Sequence, residues 1–207
     1  MIQTIFFDFG GVIIEQPHNG WVNLWKKMLG VDHQPEILDM LENPHESPLV
    51  TEICLGNVSE DTMWVKMAEE WHLKPAMIRF FRRWLFSKRQ LNQPMIKFMA
   101  EVHRQYQTAI LSNAGDQTRT LMEGTYHLQD YVDEIIISAE EGVIKPDPRI
   151  FEIAMRRMNT TPETSLLLDD HLANVLAARE FGMHAVQFIN HHQAIRMVRG
   201  HLEERFS

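Results

Sequence analysis

The 207-residue chain is predicted to adopt a doubly wound α/β fold, a Rossmann-like parallel sheet core with an inserted α-helical cap domain. Five short apolar runs alternate with helical patterns along the chain. Each run is continuous rather than alternating, as in strands buried on both faces of a sheet. Strand–helix alternation is typical of a parallel sheet covered by helices on both sides. A long stretch without a strand pattern, between the first two runs, predicts the insertion.

The predicted strands are Thr4–Phe9, Thr108–Leu111, Glu134–Ser138, Ser165–Leu168 and Ala185–Ile189. Apolar residues recur at helical spacing from Ile150 to Met158 and from Leu172 to Leu176. Gly182 provides a stop for the second of these helices. The tail from His191 to Phe206 predicts a final helix that packs on the core.

About 70 residues separate the first two predicted strands, which exceeds an ordinary crossover connection. Helical patterns fill this stretch, around Trp21–Leu29 and over Glu36–Leu41, Thr51–Leu55, Glu60–Leu73 and Ala76–Phe86. We therefore predict a core domain of residues 1–15 and 89–207 and a helical cap domain of residues 16–88. The hinges are predicted near Glu15–Pro17 and Gln90–Pro94.

Composition excludes several function classes. The formal net charge is −8, whereas a non-specific nucleic-acid binder presents a basic face. No apolar run reaches the roughly 20 residues that span a bilayer, and the N-terminus lacks the pattern of a signal peptide. Cys54 is the single cysteine, so no intrachain disulfide forms. We expect a cytoplasmic protein that binds neither nucleic acid nor membrane; the sequence leaves its oligomeric state open.

Polar residues follow four of the five predicted strands, where ligands bind in open parallel sheets. Asp8 stands near the end of the first, before Gly10 and Gly11. A carboxylate there can act as a covalent nucleophile, and glycines let the backbone approach a phosphate. The structural alternative is an aspartate that caps a turn.

Asp169 and Asp170 are adjacent acids directly after the fourth strand. Neighbouring carboxylates repel one another unless a cation or hydrogen-bond donors neutralise them. With Asp8 they offer the oxygen ligands that Mg²⁺ prefers, and Asn174 lies one helical turn on, on the same side. The alternative is an acidic N-cap of the next helix.

Ser112 and Asn113 follow the second strand, and Lys145 lies in a proline-flanked loop after the third. The first two are able to donate hydrogen bonds to phosphate oxygens, or to form an ordinary strand-to-helix turn. Lys145 is able to neutralise a phosphate or the nucleophile, although most lysines are simply solvated.

These segments, in this order, resemble the haloacid dehalogenase superfamily over essentially the whole chain. The segments that carry the resemblance are FFDFGGVI at 6–13, ICLGNVSEDTMW at 53–64, AILSNAGD at 109–116, SAEEGVIKPDPRIFEIA at 138–154 and LLLDDHLANVLAAREFGM at 166–183. Within the superfamily, these motifs most resemble those of members with a helical cap, such as α-D-glucose-1-phosphate phosphatases and the phosphatase domain of soluble epoxide hydrolases.

The resemblance implies a Mg²⁺-dependent phosphatase that acts on a small phosphorylated metabolite. Asp8 would attack phosphorus, and Ser112, Asn113 and Lys145 would hold the transferring group, with Gly10 and Gly11 next to it. The metal would bind Asp8, the Gly10 carbonyl and Asp170, with Asp169 beside it and Asn174 in the outer sphere.

Gly10 departs from the family pattern, because phosphatases of this family carry a second aspartate there as general acid and base. Losing such a group typically costs about 10²–10⁴-fold in rate. Three explanations stay open: a substitute such as Glu15, His18 or His171, a substrate with a good leaving group, or a weakly active or non-catalytic relative that binds a phosphorylated ligand. A 2-haloacid dehalogenase is the enzymatic alternative, since those enzymes also lack the second aspartate. The adjacent acids Asp169 and Asp170 disfavour it, because they would repel a carboxylate substrate.

Overall fold

The computed structural model describes residues 1–15, 47–70 and 90–203, with isolated positions between 72 and 83. The helices predicted around Trp21–Leu29 and over Glu36–Leu41 lie outside the described residues, as does most of the one predicted over Ala76–Phe86.

Five parallel strands form one sheet in the order β3-β2-β1-β4-β5. The strands are β1 Thr4–Phe7, β2 Gln107–Ser112, β3 Glu134–Ile137, β4 Ser165–Asp169 and β5 His184–Gln187. All five predicted strands are present, so the predicted parallel sheet is confirmed. Three of them were predicted too long at their carboxyl ends. Phe9 already turns, because its carbonyl accepts hydrogen bonds from the N–H groups of Ile13 and Ile14. Ser138 is the first residue of a helix rather than the last of β3. Phe188 and Ile189 likewise lie beyond β5.

Eight helices are described, in addition to short 3₁₀ turns at Leu128–Asp130 and Pro162–Thr164. They are α1 Pro48–Cys54, α2 Glu60–Glu70, α3 Gln93–Val102, α4 Thr118–Gly124, α5 Ser138–Glu141, α6 Pro148–Met158, α7 Leu172–Glu180 and α8 His191–Glu203. The predicted apolar face of α6 is buried, and its first turn is capped by Asp147, whose side chain accepts from the Arg149 N–H.

The core has two layers, one on each face of the sheet. Ile5 and Phe7 of β1 point into a cluster with α3 and α8, whereas Phe6 points into a second cluster with α6 and α7. All three side chains are fully buried. Both faces of the strand are covered, and consecutive residues of the strand are therefore apolar. The helices on both faces of the sheet confirm the predicted doubly wound core.

The chain leaves the sheet after β1 and returns before α3 at the same place. The Glu15 N–H donates to the Gln90 carbonyl at 2.8 Å, and the Asn92 N–H donates to the Ile13 carbonyl at the same distance. These two bonds join the outgoing and returning segments, next to the predicted hinges. The exact division into a core and a cap of residues 16–88 stays a prediction.

Candidate active site

The carboxyl edge of the sheet brings the sequence-predicted residues together at a topological switch point. β1 lies between β2 and β4, and the chain continues outward from it in both directions. A crevice forms beyond the strand ends at such a point. Asp8 follows β1, Ser112 ends β2 and Asp169 ends β4.

Lys145 lies at the centre of this edge, with its side chain only 1% exposed. Its Nζ donates to Asp8 Oδ1 at 2.8 Å, to Asp169 Oδ2 at 2.6 Å and to the Leu111 carbonyl at 2.7 Å. A lysine ammonium has three N–H donors, so all three are used. Lys145 is therefore a fixed positive charge between two carboxylates rather than a solvated side chain.

Asn113 holds the backbone of Lys145. Its Oδ1 accepts from the Lys145 N–H at 2.8 Å, and its Nδ2 donates to the Lys145 carbonyl at 2.7 Å. This pair of bonds joins the loop after β2 to the loop after β3 and gives Asn113 a positioning role that the sequence did not indicate. Ser112 is buried at the end of β2. Phosphate binding by Ser112 and Asn113 stays a prediction.

Asp169 is fully buried, and both of its carboxylate oxygens accept hydrogen bonds. Oδ1 accepts from the His171 N–H at 2.9 Å and from Asn174 Nδ2 at 3.0 Å. Oδ2 accepts from Lys145 Nζ and, at 3.2 Å, again from Asn174. Asp169 thus anchors the lysine and the start of α7.

Three carboxylates form a cluster, because ligand oxygens of Asp8, Asp169 and Asp170 lie within 4.8 Å of one another. Gly11 explains how Asp170 fits. A Cβ atom on Gly11 would lie 2.1 Å from Asp170 Oδ2, and the Gly11 φ of +75° is strained for any other residue. Because Gly11 has no side chain, the Asp170 carboxylate is able to pack directly against the Gly11 backbone.

The electrostatics of the cluster favour a bound cation. Burial, and to a smaller extent the charge of Asp169, raises the pKa of Asp8 to about 7 against the opposing effect of Lys145. Burial by itself would lower the pKa of Lys145, but the charges of Asp169 and Asp8 hold it above its ordinary value. Together, the three carboxylates and the Lys145 ammonium carry a formal charge of −2 when all are ionised, and two of the carboxylates, Asp8 and Asp169, are buried. Hard oxygen ligands with excess negative charge are what Mg²⁺ requires, so these residues fit that ion.

Gly10 has open space beside it. Within the described part of the chain, a Cβ atom built there meets no atom within 4 Å. Of the substitutes considered for a general acid or base, Glu15 lines a cleft together with Asp170, and His171 is exposed at the start of α7. His18 lies outside the described residues.

The turn between α1 and α2 is fastened to the loops that follow β2 and β3. The buried Ser138 hydroxyl donates to the Cys54 carbonyl at 2.7 Å and accepts from the Ala114 N–H at 3.0 Å. A Cβ atom on Gly56 would lie 2.3 Å from the Ala139 carbonyl oxygen, so the two backbones touch. Sequence patterns gave no indication of the bridging role of Ser138.

Among the described helices, none is both long enough and apolar enough to cross a membrane.

A model of the haloacid dehalogenase-like hydrolases matches residues 2–182. The chain belongs to this family. It is therefore a hydrolase, and the resemblance seen in its motifs is confirmed.

Relatives of this hydrolase include D-ribitol-5-phosphate phosphatase of Bacteroides thetaiotaomicron, 24% identical over 90% of this chain and 92% of that protein. Among solved structures, the enzyme bt-2542 of Bacteroides thetaiotaomicron, in complex with magnesium and inorganic phosphate, has a TM-score of 0.74 at 17% identity and covers 90% of this chain and 94% of that chain. L-2-haloacid dehalogenase of Xanthobacter autotrophicus has a TM-score of 0.64 at 16% identity. The match covers 90% of this chain and 77% of the dehalogenase chain. Both likenesses concern the fold.

Proposed function

We propose that this hydrolase is a Mg²⁺-dependent phosphatase that cleaves a small phosphorylated metabolite through an aspartyl-phosphate on Asp8. The observation that carries the proposal is the buried Lys145 ammonium, which lies between Asp8 and Asp169 with Asp170 beside them. The relative named as a D-ribitol-5-phosphate phosphatase supports phosphate chemistry, since it matches almost the whole chain.

In the first step, a carboxylate oxygen of Asp8 forms a bond to phosphorus while the bond from phosphorus to the alcohol oxygen of the substrate breaks. In the second step, water attacks phosphorus and loses a proton to solvent, while the bond from phosphorus to the Asp8 oxygen breaks. Inorganic phosphate then leaves, and the Asp8 carboxylate is regenerated. Lys145 favours the ionised form of Asp8 and orients its carboxylate, because it donates directly to Oδ1. Ser112 and Asn113 are proposed to hold the transferring group with Lys145, next to the backbone of Gly10 and Gly11. Catalysis of this kind depends on positioning and charge neutralisation.

Asp8, Asp170 and the Gly10 carbonyl would hold Mg²⁺, which would neutralise charge on the phosphoryl oxygens. Asp169 is the weaker candidate ligand, since its oxygens already accept from Lys145, Asn174 and the His171 N–H. Asn174 would act from the outer sphere by orienting Asp169. Residues 16–88 are proposed to be the cap that closes over the site.

Because Gly10 has no proton to transfer, the alcohol must be protonated by another group or leave unaided. We assign this proton transfer to Glu15, because it lines the cleft that also contains Asp170. Gly10→Asp would test this assignment, since the space beside Gly10 is open. If the family acid is simply missing, the variant should gain activity; no gain would indicate that another residue has taken over the role.

The direct test is a panel of phosphorylated metabolites and p-nitrophenyl phosphate, assayed with Mg²⁺ and with a chelator. Phosphate release that requires Mg²⁺ is expected. Chloride release from 2-chloropropionate without any phosphate release would favour a dehalogenase. Release of neither phosphate nor chloride would favour a non-catalytic protein that binds a phosphorylated ligand.

A further inference from the structure

Asp170 lies directly after β4, which ends at Asp169. In the register of the two strands, Asp169 lies opposite Gln187 of β5, and the Phe188 N–H donates to the Asp169 carbonyl at 2.8 Å. The next carbonyl, that of Asp170, accepts from a side chain instead, because Gln187 Nε2 donates to it at 3.2 Å. A side-chain amide thus continues the hydrogen bonding between β4 and β5 by one residue and holds the backbone of Asp170.

Gln193, in the first turn of α8, holds the end of β5 in turn. Its Nε2 donates to the Gln187 carbonyl at 3.0 Å, and its Oε1 accepts from the Ile189 N–H at 3.2 Å. Its own N–H donates to Asn190 Oδ1 at 2.9 Å, which caps the helix and fixes the position of Gln193 on it. Since the buried face of α8 belongs to the core, the two glutamines connect the Asp170 backbone to the core.

The chemistry of a glutamine side chain suits this role at Gln187. The side chain is long enough to reach across the gap between neighbouring strands, which is about 4.8 Å. Its NH₂ group supplies the donor that a carbonyl requires, whereas a glutamate side chain has none when ionised. Lysine or arginine would also donate, but each would add a positive charge next to a candidate cation site. A neutral donor therefore holds Asp170 without opposing a metal ion.

We propose that Gln187 and Gln193 are positioning residues for Mg²⁺. They hold the Asp170 backbone so that its carboxylate stays against Gly11 and within reach of Asp8. This inference rests on the proposed function, in which Asp170 is a metal ligand. Residues that hold a metal ligand influence the affinity for the ion, because they fix the orientation of the ligand before the ion binds.

Calorimetric titration with Mg²⁺, in the absence of substrate, measures this role directly. Gln187→Met approximately keeps the length of the side chain and removes its N–H donors. We expect the Kd for Mg²⁺ to rise about threefold to tenfold, which is the effect of one lost hydrogen bond. In assays with p-nitrophenyl phosphate, the Mg²⁺ concentration that gives the half-maximal rate should rise by the same factor, and saturating Mg²⁺ should restore kcat.

Arg179→Met is the matched control, because Arg179 holds the same strand two residues away from Gln187. Its guanidinium donates to the Ala185 carbonyl at 2.7 and 3.1 Å. We expect this variant to lower the melting temperature of the metal-free protein and to leave the Kd for Mg²⁺ unchanged. If it weakened Mg²⁺ binding as much as Gln187→Met does, general loosening of β5 would explain both results and the positioning role would be wrong.

Gln193→Met tests the second link between α8 and Asp170. We expect it to raise the Kd for Mg²⁺ about twofold to threefold, less than Gln187→Met, because it acts through the backbone of Gln187. In the double variant, the rise in Kd should be smaller than the product of the two single effects, since both residues act on one series of contacts. A rise equal to that product would contradict the link between them.

The two proposals fail in different ways. If the wild-type protein binds no Mg²⁺ and releases no phosphate from p-nitrophenyl phosphate, the proposed function is wrong. If it binds Mg²⁺ and Gln187→Met binds the ion equally tightly, the positioning role is wrong and the proposed function stands.

Discussion

The carboxyl edge of the sheet has two halves that differ in how their polar groups are satisfied. On the β2/β3 half, Lys145 uses all three N–H donors, Asn113 is bonded at both ends and Ser138 bridges to the α1–α2 turn. On the β4/β5 half, Asp169 is likewise satisfied by hydrogen bonds, but an open cleft lies beside Asp170. The difference indicates that the groups around the reacting carboxylate are held by internal hydrogen bonds, whereas the space beside Asp170 is accessible to a ligand.

Removal of Lys145 should have the largest effect, because it leaves Asp8 and Asp169 buried without their counter-charge. Breaking a buried ion pair in this way costs about 3–5 kcal/mol of unfolding free energy. We expect Lys145→Met to lose that stability in urea titration and to abolish phosphate release. Lys97→Met, on the exposed side of α3, is the control and should lose less than about 0.5 kcal/mol. If the two variants were equally stable, Lys145 would not be the centre of the β2/β3 half.

The adjacent glycines give the next largest contrast, since only one of them touches the cluster. Gly11→Ala forces a Cβ atom against Asp170 at a φ of +75°, whereas Gly10→Ala meets open space. We expect Gly11→Ala to lose about 1–3 kcal/mol of stability and to bind Mg²⁺ more weakly, whereas Gly10→Ala stays close to wild type. Thermal unfolding with and without Mg²⁺ measures both effects. Equal losses in the two variants would mean that Asp170 does not depend on Gly11.

Parts of this contrast were predictable from sequence and parts were not. The strands, Asp8, Lys145 and the two adjacent acids were identified because continuous apolar runs end at polar residues. The roles of Asn113 on the Lys145 backbone and of Ser138 on Cys54 were not, since each depends on segments that lie far apart along the chain. Such contacts leave no local pattern, and Asn113 in particular looked like an ordinary turn residue or phosphate ligand.

Ser138 allows the attachment of the α1–α2 turn to be tested. Ser138→Ala removes the hydroxyl that joins the Cys54 carbonyl to the Ala114 N–H and leaves both buried groups without this partner. We expect a loss of about 1–3 kcal/mol in unfolding free energy and faster proteolysis within the α1–α2 turn. Thr125→Ala, at the end of α4, serves as the comparison. Unaltered proteolysis in Ser138→Ala would show that the turn is held by other contacts.

The dependence of stability on pH tests the protonation state of Asp8. Because burial raises the pKa of Asp8 from 3.8 to about 7, the folded protein binds more protons than the unfolded chain between these values. The unfolding free energy contributed by this group therefore falls as the pH rises through that window. Mg²⁺ requires the ionised carboxylate, so the rise in melting temperature on adding Mg²⁺ should be greater at about pH 8 than at about pH 5.5. A rise that does not depend on pH would indicate that Asp8 is not a ligand.

The most direct test of the central claim is acid-quenched mass spectrometry of the protein during turnover with Mg²⁺. The account predicts that wild-type protein gains the mass of one phosphoryl group on the peptide that contains Asp8. The Asp8→Asn variant should show neither this mass nor phosphate release while keeping its fold by circular dichroism. Full-rate phosphate release by Asp8→Asn would contradict the claim that Asp8 is the nucleophile.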